Sequence, residues 1–215
     1  MITFMSDILC VTNRSLCQED FLIRVEKIAS CHPAGIILRE KDLEEAEYKK
    51  LAKKVMEICA RYDTTCILHS FVNVAREIRC SALHLPLPVL RAFAQEKSIG
   101  LKTSDKSYNF GKEQKEFKIL GASCHSVEEA IEAESRGCTY ITAGHIFDTD
   151  CKKGLPGRGL AFLKEVCENV SIPVYAIGGI TPENITEIRQ ANGAGACIMS
   201  SAMKCANVQE YLSAF

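Results

Sequence analysis

Two pairs of small residues in the last third of the chain have the types and the spacing that suit a phosphate group. Gly178-Gly179 follows the apolar run Val174–Ile177, and Ser200-Ser201 follows the next apolar run. Small residues at the end of a strand let backbone N–H groups approach an anion closely. A Gly-Gly pair alone could simply end a strand. Its repetition as a serine pair one unit later favours a phosphate site formed by both pairs.

His125 is the residue best suited to moving a proton. It ends the segment GASCH and precedes Ser126-Val-Glu-Glu129, a capping-box pattern that begins a helix. An imidazole between the end of a strand and the start of a helix would point into the mouth of a barrel, where it can act as a general base. A histidine that only caps the helix is the structural alternative.

Four further histidines are weaker candidates. His69 ends an apolar run and could line the same mouth, and His145 lies in the next loop. His84 could face either side of its strand, and His32 is predicted to lie in a loop. No H-E-x-x-H or comparable ligand spacing connects the histidines, so the sequence predicts no metal site.

Basic residues complete the predicted site. Arg39 and Lys41 follow the second apolar run, and the glycine-rich loop Gly144–Arg158 contains a threonine and several basic residues. These side chains could bind a phosphate or a carboxylate, and the loop could close over a ligand. A solvated loop is the alternative. The candidates in it are Thr149, Lys152, Lys153 and Arg158.

The elements that must position these residues alternate between short apolar runs and amphipathic helices. Such alternation predicts parallel strands covered by helices. Eight runs in 215 residues leave little room for insertions and favour a single (β/α)8 TIM barrel over residues 1–215. An open doubly wound sheet is less favoured because no G-x-G-x-x-G follows the first run. Residues 98–116 are predicted to be an irregular insertion or loop. The predicted strands are Ile8–Thr12, Gly35–Arg39, Cys66–His69, Ala82–Leu85, Lys118–Ser123, Thr139–Ala143, Pro173–Ile177 and Ala196–Met199.

Composition excludes several classes of function. The net charge is −1 with both signs mixed along the chain, which gives no basic surface for nucleic acid or for a membrane. No apolar stretch approaches the roughly 20 residues of a membrane span, and no signal peptide is recognisable, so a cytoplasmic protein is expected. The 12 cysteines lie mostly in apolar runs and are predicted to be free thiols of the core. The sequence is compatible with a homodimer but does not require one.

The motifs together resemble the thiamine phosphate synthase superfamily over essentially the whole chain. The resemblance rests on IGGITPEN, the Ser200-Ser201 strand end, GASCHSVEEA and the T-x-x-K of Thr149–Lys152. Within the superfamily, GHIFDTDCKKGLPGRG together with SCHS is most similar to the TenI branch, the thiazole tautomerases. The resemblance implies a phosphorylated thiazole substrate, with His125 as the base that moves a proton during aromatisation. It also implies that the phosphate binds at Gly178, Gly179, Ser200 and Ser201.

The chain departs from the synthase branch at three places. Ile37 stands where the synthase branch has a glutamine before the arginine of its R-x-K motif, and His69-Ser70 stands in place of its Asn-Asp pair. The acidic residue that follows strand four in that branch corresponds to a position within Leu85–Pro88, where this chain has no acidic residue. The missing carboxylates are those expected to hold Mg²⁺ and a pyrophosphate leaving group. The sequence therefore favours a tautomerase without a cofactor. A Mg²⁺-dependent synthase and a non-catalytic metabolite-binding protein are the alternatives.

Overall fold

Eight parallel strands pair in the order in which they follow one another, and the last strand pairs with the first to close a barrel. The computed structural model describes residues 7–100 and 116–215 of the chain. The prediction of a (β/α)8 TIM barrel is confirmed. The strands are β1 Ile8–Val11, β2 Gly35–Leu38, β3 Cys66–His69, β4 Ala82–Pro86, β5 Ile119–Cys124, β6 Tyr140–Gly144, β7 Val174–Ile177 and β8 Gly195–Ile198.

Apolar side chains on both faces of the strands explain why these segments form a buried parallel sheet. Every residue of β1, β2, β6 and β8 is buried, as expected where helices cover the outside and side chains fill the inside. Closure is made by β8 against β1, with Leu9 opposite Cys197. All eight strands point the same way, so their C-terminal ends open at one mouth.

Helices follow the strands and bury one stripe against them. In α2, the residues Tyr48, Ala52, Val55 and Cys59 form such a stripe and are buried. None of the helices in the described ranges is both long and apolar enough to span a membrane. The helices are α1 Phe21–Ala29, α2 Glu45–Arg61, α3 Val72–Glu77, α4 Leu87–Gly100, α5 Val127–Ser135, α6 Gly159–Asn169, α7 Ile185–Gln190, α8 Ser200–Lys204 and α9 Val208–Ser213.

The prediction of an irregular segment over residues 98–116 is wrong at its first three positions. Helix α4 continues through Gly100, because Leu87, Leu90 and Phe93 are buried and anchor a helix that then extends into a polar stretch. Residues 101–115 of that segment lie outside the described residues. At its end, Glu116 accepts a hydrogen bond of 2.6 Å from Arg76 of α3.

The cysteines follow the prediction for the most part. All 12 lie within the described ranges, and each is a free thiol. Six are buried, and one, Cys151, is exposed in the loop after β6. The remaining five are partly buried, so a purely core role holds for only part of the set.

Gly121 in β5 provides a test of the interior packing. It lies opposite Tyr140 of β6, and a Cβ atom at Gly121 would overlap the buried Tyr140 ring. We expect Gly121→Ala to lower the free energy of unfolding by about 3 kcal/mol, because the ring must leave its place in a close-packed interior. Urea unfolding followed by circular dichroism measures this change.

Gly137→Ala is the matched control for this prediction. Gly137 has a φ of +88°, but no atom lies within 4 Å of the place that a Cβ would take, so only backbone strain is added. That strain costs about 1 kcal/mol. Equal destabilisation by the two substitutions would contradict the packing argument.

Candidate functional site

A cavity of about 650 Å³ opens at the C-terminal ends of the strands. This is the end at which barrels of this type bind their ligands, and the volume suits a small molecule. Most of the residues that the sequence singled out for the site lie on the cavity wall, while the roles given to these residues stay predictions. They are Arg39, Lys41, His69, His125, His145, Thr149, Lys152, Gly178, Gly179, Ser200 and Ser201.

His125 follows β5 directly and is exposed at the cavity wall. Its Nδ1 lies 3.0 Å from the carbonyl oxygen of Gly144 at the end of β6. A carbonyl oxygen can only accept, so Nδ1 carries the hydrogen and Nε2 carries the lone pair. Within residues 7–100 and 116–215, Nε2 has no hydrogen-bond partner. The imidazole at the cavity wall therefore has a fixed tautomer, and its Nε2 lone pair is not engaged by any described residue.

Helix α5 holds the backbone of His125 in place. Ser126 caps the helix by accepting a hydrogen bond of 3.2 Å from the N–H of Glu129. The Glu129 carboxylate accepts from the N–H of His125, one residue before the cap, rather than from the cap itself. The alternative that His125 itself caps α5 does not apply, because its ring bonds to Gly144.

Two other histidines lie at or below the cavity. His69 is buried, and its Nδ1 lies 2.7 Å from the hydroxyl of Ser70. Burial, together with nearby His84, Arg39 and Lys41, lowers the pKa of His69 to about 2. His84 faces the barrel interior, and burial lowers its pKa to about 3. Both rings are neutral near pH 7 and are weak bases there.

The remaining histidines have structural contacts. His145 Nε2 lies 3.1 Å from the carbonyl oxygen of Leu155 and so connects the end of β6 to the far side of the following loop. His32 is exposed, with Nδ1 2.9 Å from the carbonyl oxygen of Tyr62, and it lies outside the cavity wall. The prediction of His32 as a loop residue agrees with this position.

Arg39, Lys41 and Lys152 form a cationic side of the cavity. Burial lowers the pKa of Lys41, and the nearby charges of Arg39 and Lys152 lower it further. All three side chains line the same cavity, so cations from two different loops converge there. Such convergence is unfavourable without a ligand, so an anion placed among the three would relieve it.

A buried carboxylate holds the backbone of this cationic side. Glu40, between Arg39 and Lys41, is 2% exposed and accepts a hydrogen bond of 2.6 Å from the hydroxyl of Thr12. It also accepts from the N–H of Arg14 at 3.0 Å. The Thr12 oxygen in turn accepts from the N–H of Arg39 at 3.0 Å. Glu40 was not predicted from the sequence, although side-chain alternation places a residue between Arg39 and Lys41 on the side that faces away from the cavity.

The two glycines after β7 allow a close crossing of two chain segments. Gly178 and Gly179 have φ values of +98° and +67°, and a Cβ at either would overlap the loop after β6. The backbone of this loop bonds to the segment after β7, with the N–H of Phe147 donating to the carbonyl oxygen of Gly178 at 3.0 Å. Ser200 and Ser201 begin α8 just after β8, the strand that pairs with β7, and they line the same cavity as the glycines. The two pairs thus form one wall.

The loop after β6 crosses one side of the cavity. Thr149 and Lys152 contribute to the wall as predicted, and Asp148 accepts a hydrogen bond of 2.7 Å from the N–H of Gly157, which holds the loop closed on itself. Lys153 and Arg158, the other two basic candidates of the loop, do not line the cavity. The Arg158 guanidinium lies over the ring of Phe162, 5.2 Å from its centre, because the ring at the start of α6 draws it outward.

Several polar residues of the wall were missed by sequence reasoning. Asn13, Ser123 and Thr142 line the cavity. Ser123 lies two residues before His125, so side-chain alternation along a strand could have identified it. In the described ranges, no Asp or Glu belongs to the wall and no group of three metal-ligating side chains occurs. Mg²⁺ binds oxygen ligands and usually at least one carboxylate, so this wall does not fit a resident Mg²⁺ ion.

A (β/α)8 barrel with polar, cationic and small residues at its strand ends has the features of the large class of barrels that bind anionic small molecules at this mouth. The chain is a member of the TMP-TENI family, described as thiamine monophosphate synthase, whose family model matches residues 8–202. This finding confirms the resemblance to the thiamine phosphate synthase superfamily and places the chain in a family of thiamine biosynthesis.

Individual relatives agree with this membership. The chain is 32% identical to "Thiamine-phosphate synthase 2" of Streptococcus pneumoniae over 92% of this chain and 87% of the relative. It is 36% identical to "Putative thiamine-phosphate synthase 2" of Aquifex aeolicus over 86% and 90%. A solved structure, "Thiamine phosphate pyrophosphorylase" from Pyrococcus furiosus, matches with a TM-score of 0.77 at 25% identity, covering 97% of this chain and 92% of that one. These relatives carry the synthase name, so the tautomerase branch stays a prediction.

The role of Glu40 in holding the cationic side can be tested by Glu40→Gln. A glutamine puts an N–H₂ group where two donors already point, and one buried charge-assisted hydrogen bond is lost. We expect the free energy of unfolding to fall by roughly 2 kcal/mol, and the affinity for inorganic phosphate to fall several-fold because Arg39 and Lys41 lose their fixed backbone. Urea unfolding and calorimetric titration measure the two effects.

Asp42→Asn is the matched control. Asp42 pairs with Arg14 at 2.6 Å, but its side chain is 68% exposed. Solvent screens such a pair, so we expect little change in stability or phosphate affinity. Similar losses from both substitutions would argue that the charge, and not the buried contact of Glu40, is what matters.

Proposed function

We propose that the protein is a thiazole tautomerase, which converts the carboxythiazole phosphate tautomer of thiamine biosynthesis into its aromatic isomer. The observation that carries the proposal is the state of His125. Its Nδ1 is held by Gly144, while no described residue engages its Nε2 and no carboxylate lies on the described wall of the cavity. A proton transfer of this kind needs one positioned base and an anchored substrate, and it needs no metal ion.

The proton balance of the reaction involves a single residue. Nε2 of His125 takes a proton from a ring carbon, and the imidazole becomes an imidazolium whose Nδ1–H remains bonded to Gly144. The electron pair left on the substrate spreads through its conjugated bonds. Nε2 then returns the proton to a second carbon and the ring becomes aromatic, so the atoms of substrate and enzyme balance.

The other histidines are poorer candidates for this base. The pKa values of His69 and His84 lie at about 2 and about 3, so either ring would hold a transferred proton weakly. His145 Nε2 is 3.1 Å from the carbonyl oxygen of Leu155, so that nitrogen carries a hydrogen and donates it to the loop. Carbonyl oxygens thus fix the tautomers of both His125 and His145. His125 keeps its lone pair on Nε2, the nitrogen farther from the backbone, whereas His145 keeps it on Nδ1, close to its own backbone, so we assign the base to His125.

The substrate carries two anionic groups, and the wall offers two regions that suit anions. Gly178-Gly179 and Ser200-Ser201 supply small residues and backbone N–H groups, which suit the phosphate. Arg39, Lys41 and Lys152 suit a second negative charge on the opposite part of the molecule. Thr149 lies at the edge of the loop beside Lys152, where it can donate to either group.

Thiamine phosphate synthase is the second candidate because the relatives carry that name. That reaction couples a pyrimidine diphosphate with the thiazole phosphate and releases pyrophosphate. The wall keeps Arg39 and Lys41, which suit a diphosphate, but its described residues include no carboxylate for Mg²⁺. Ile37 and Leu85, in the region of two expected polar residues, are buried in the core. The electrostatic requirements of the synthase are therefore met only in part.

His125→Asn tests the tautomerase proposal most sharply. The asparagine amide can occupy the place of Nδ1 and donate to Gly144, but nothing replaces Nε2. We expect the rate of aromatisation, followed by ultraviolet absorbance, to fall about 100-fold or more, to the level of the buffer reaction. His125→Ala should lose the rate equally, whereas His32→Ala, outside the cavity, should keep it.

Two outcomes would overturn the assignment. An undiminished rate in His125→Asn would show that another group moves the proton. A wild-type rate equal to the buffer reaction would exclude the tautomerase and leave the synthase or a non-catalytic metabolite-binding protein. Thermal unfolding of each variant excludes loss of the fold as the cause.

The synthase candidate has its own assay. We expect no Mg²⁺-dependent release of pyrophosphate above background when the wild type is incubated with both synthase substrates, since the described wall lacks the carboxylates that would hold the ion. Steady release that stops on chelation of Mg²⁺ would establish the synthase. Binding of the thiazole phosphate without turnover in either assay would favour the non-catalytic alternative.

A further inference from the structure

A chain of three polar side chains leads from the barrel interior to the cavity. The Tyr140 hydroxyl lies 2.9 Å from His84 Nδ1, and His84 Nε2 lies 2.8 Å from Ser123 Oγ. Ser123 lines the cavity near the end of β5, two residues before His125 in the chain, which places it roughly 7 Å below the histidine. The proton transfer proposed for His125 passes through none of these three side chains.

The direction of the hydrogen bonds in this chain follows from Tyr140. The phenol is 1% exposed, and burial raises its pKa well above the usual value, so the hydroxyl keeps its proton. A buried O–H group must donate to an acceptor. Within the part of the chain that the structure describes, the acceptor in contact with it is His84 Nδ1. His84 Nδ1 therefore carries the lone pair.

The state of Ser123 follows in turn. His84 is neutral because burial lowers its pKa to about 3. With the lone pair on Nδ1, its hydrogen is on Nε2 and is donated to Ser123 Oγ. The Ser123 oxygen thus accepts from His84, and its own hydrogen is left for an acceptor in the cavity. This direction is the reverse of that in a nucleophilic serine, which gives its hydrogen to a histidine.

We propose that Ser123 is an obligate hydrogen-bond donor to the substrate ring, oriented by His84 and Tyr140, and that it selects ligands with an acceptor at this depth. The inference rests on the proposed function for the identity of the ligand, a carboxythiazole phosphate, whose ring nitrogen and carboxylate are the available acceptors. Ser123 is a specificity residue, and His84 and Tyr140 are positioning residues. A donor at this place also stabilises negative charge that develops on the ring when His125 removes a proton.

The first test is the tautomer of His84, measured by ¹⁵N NMR of the ligand-free protein. We expect a protonated Nε2 and an unprotonated Nδ1. The resonances are assigned by their loss in His84→Gln and their change in Tyr140→Phe. The opposite tautomer would overturn the proposal, since Ser123 would then donate to His84. This measurement requires no activity, so its result is independent of the proposed function.

The second test is ligand selection by calorimetric titration. We expect Ser123→Ala to bind the aromatic carboxythiazole phosphate about tenfold more weakly, as expected for one lost hydrogen bond to a charged or strong acceptor. Its affinity for a thiophene phosphate that lacks both the ring nitrogen and the carboxylate should equal that of the wild type. Equal loss for both ligands, or no loss for either, would contradict the role of Ser123.

A double-mutant cycle tests the positioning roles. We expect Tyr140→Phe to weaken binding of the carboxythiazole phosphate by a smaller factor, because His84 then loses its fixed tautomer. The double variant Ser123→Ala/Tyr140→Phe should bind like Ser123→Ala alone, whereas additive losses would show that Tyr140 acts only through packing. If the wild type shows no tautomerase activity, the proposed function fails, while the tautomer of His84 and the ligand comparison still decide the role of Ser123.

Discussion

Closure of the sheet by β8 against β1 is the constraint on which the site depends. Leu9 lies opposite Cys197 in this pairing, and the pairing fixes where β7 and β8 end relative to β1 and β2. The glycine and serine pairs on one side and Arg39 and Lys41 on the other therefore face the same cavity, although they are far apart in the chain. An open sheet would spread these residues along an edge, and no single ligand could contact both groups.

At the ends of β2 and β5, side-chain alternation directs some residues into the cavity and buries the residue between them in the scaffold. Around β2, Arg39 and Lys41 line the cavity, while Glu40 between them is buried against Thr12 and Arg14. Along β5, Ser123 and His125 both line the cavity, while Cys124 between them is buried against α5. The buried residues, Glu40 and Cys124, occupy no space in the cavity. Their contacts with the scaffold hold the neighbouring cavity-lining residues at a fixed height.

The architecture and the location of the site could be predicted from the sequence because both depend on local patterns. Apolar runs identify buried parallel strands, and residues just after such runs must reach the C-terminal mouth. Glu40, Ser123 and the Tyr140–His84 pair could not be predicted with their contacts, because those depend on which strands become neighbours and on how deep each residue lies. The continuation of α4 through Gly100 was missed for a related reason: polar composition does not end a helix whose first turns are anchored by packing.

The proposed tautomerase and a synthase would use the same scaffold, and the difference between them would lie in a few side chains at the mouth. A synthase must stabilise a departing pyrophosphate, which requires concentrated positive charge and carboxylates to hold a cation. In this cavity the places near β3 and β4 are taken by His69, a neutral ring, and by Pro86. Because neither side chain carries a negative charge, Arg39 and Lys41 remain available for an anionic group of the substrate itself. The proton transfer that we propose for His125 makes smaller electrostatic demands, which a neutral donor such as Ser123 can meet.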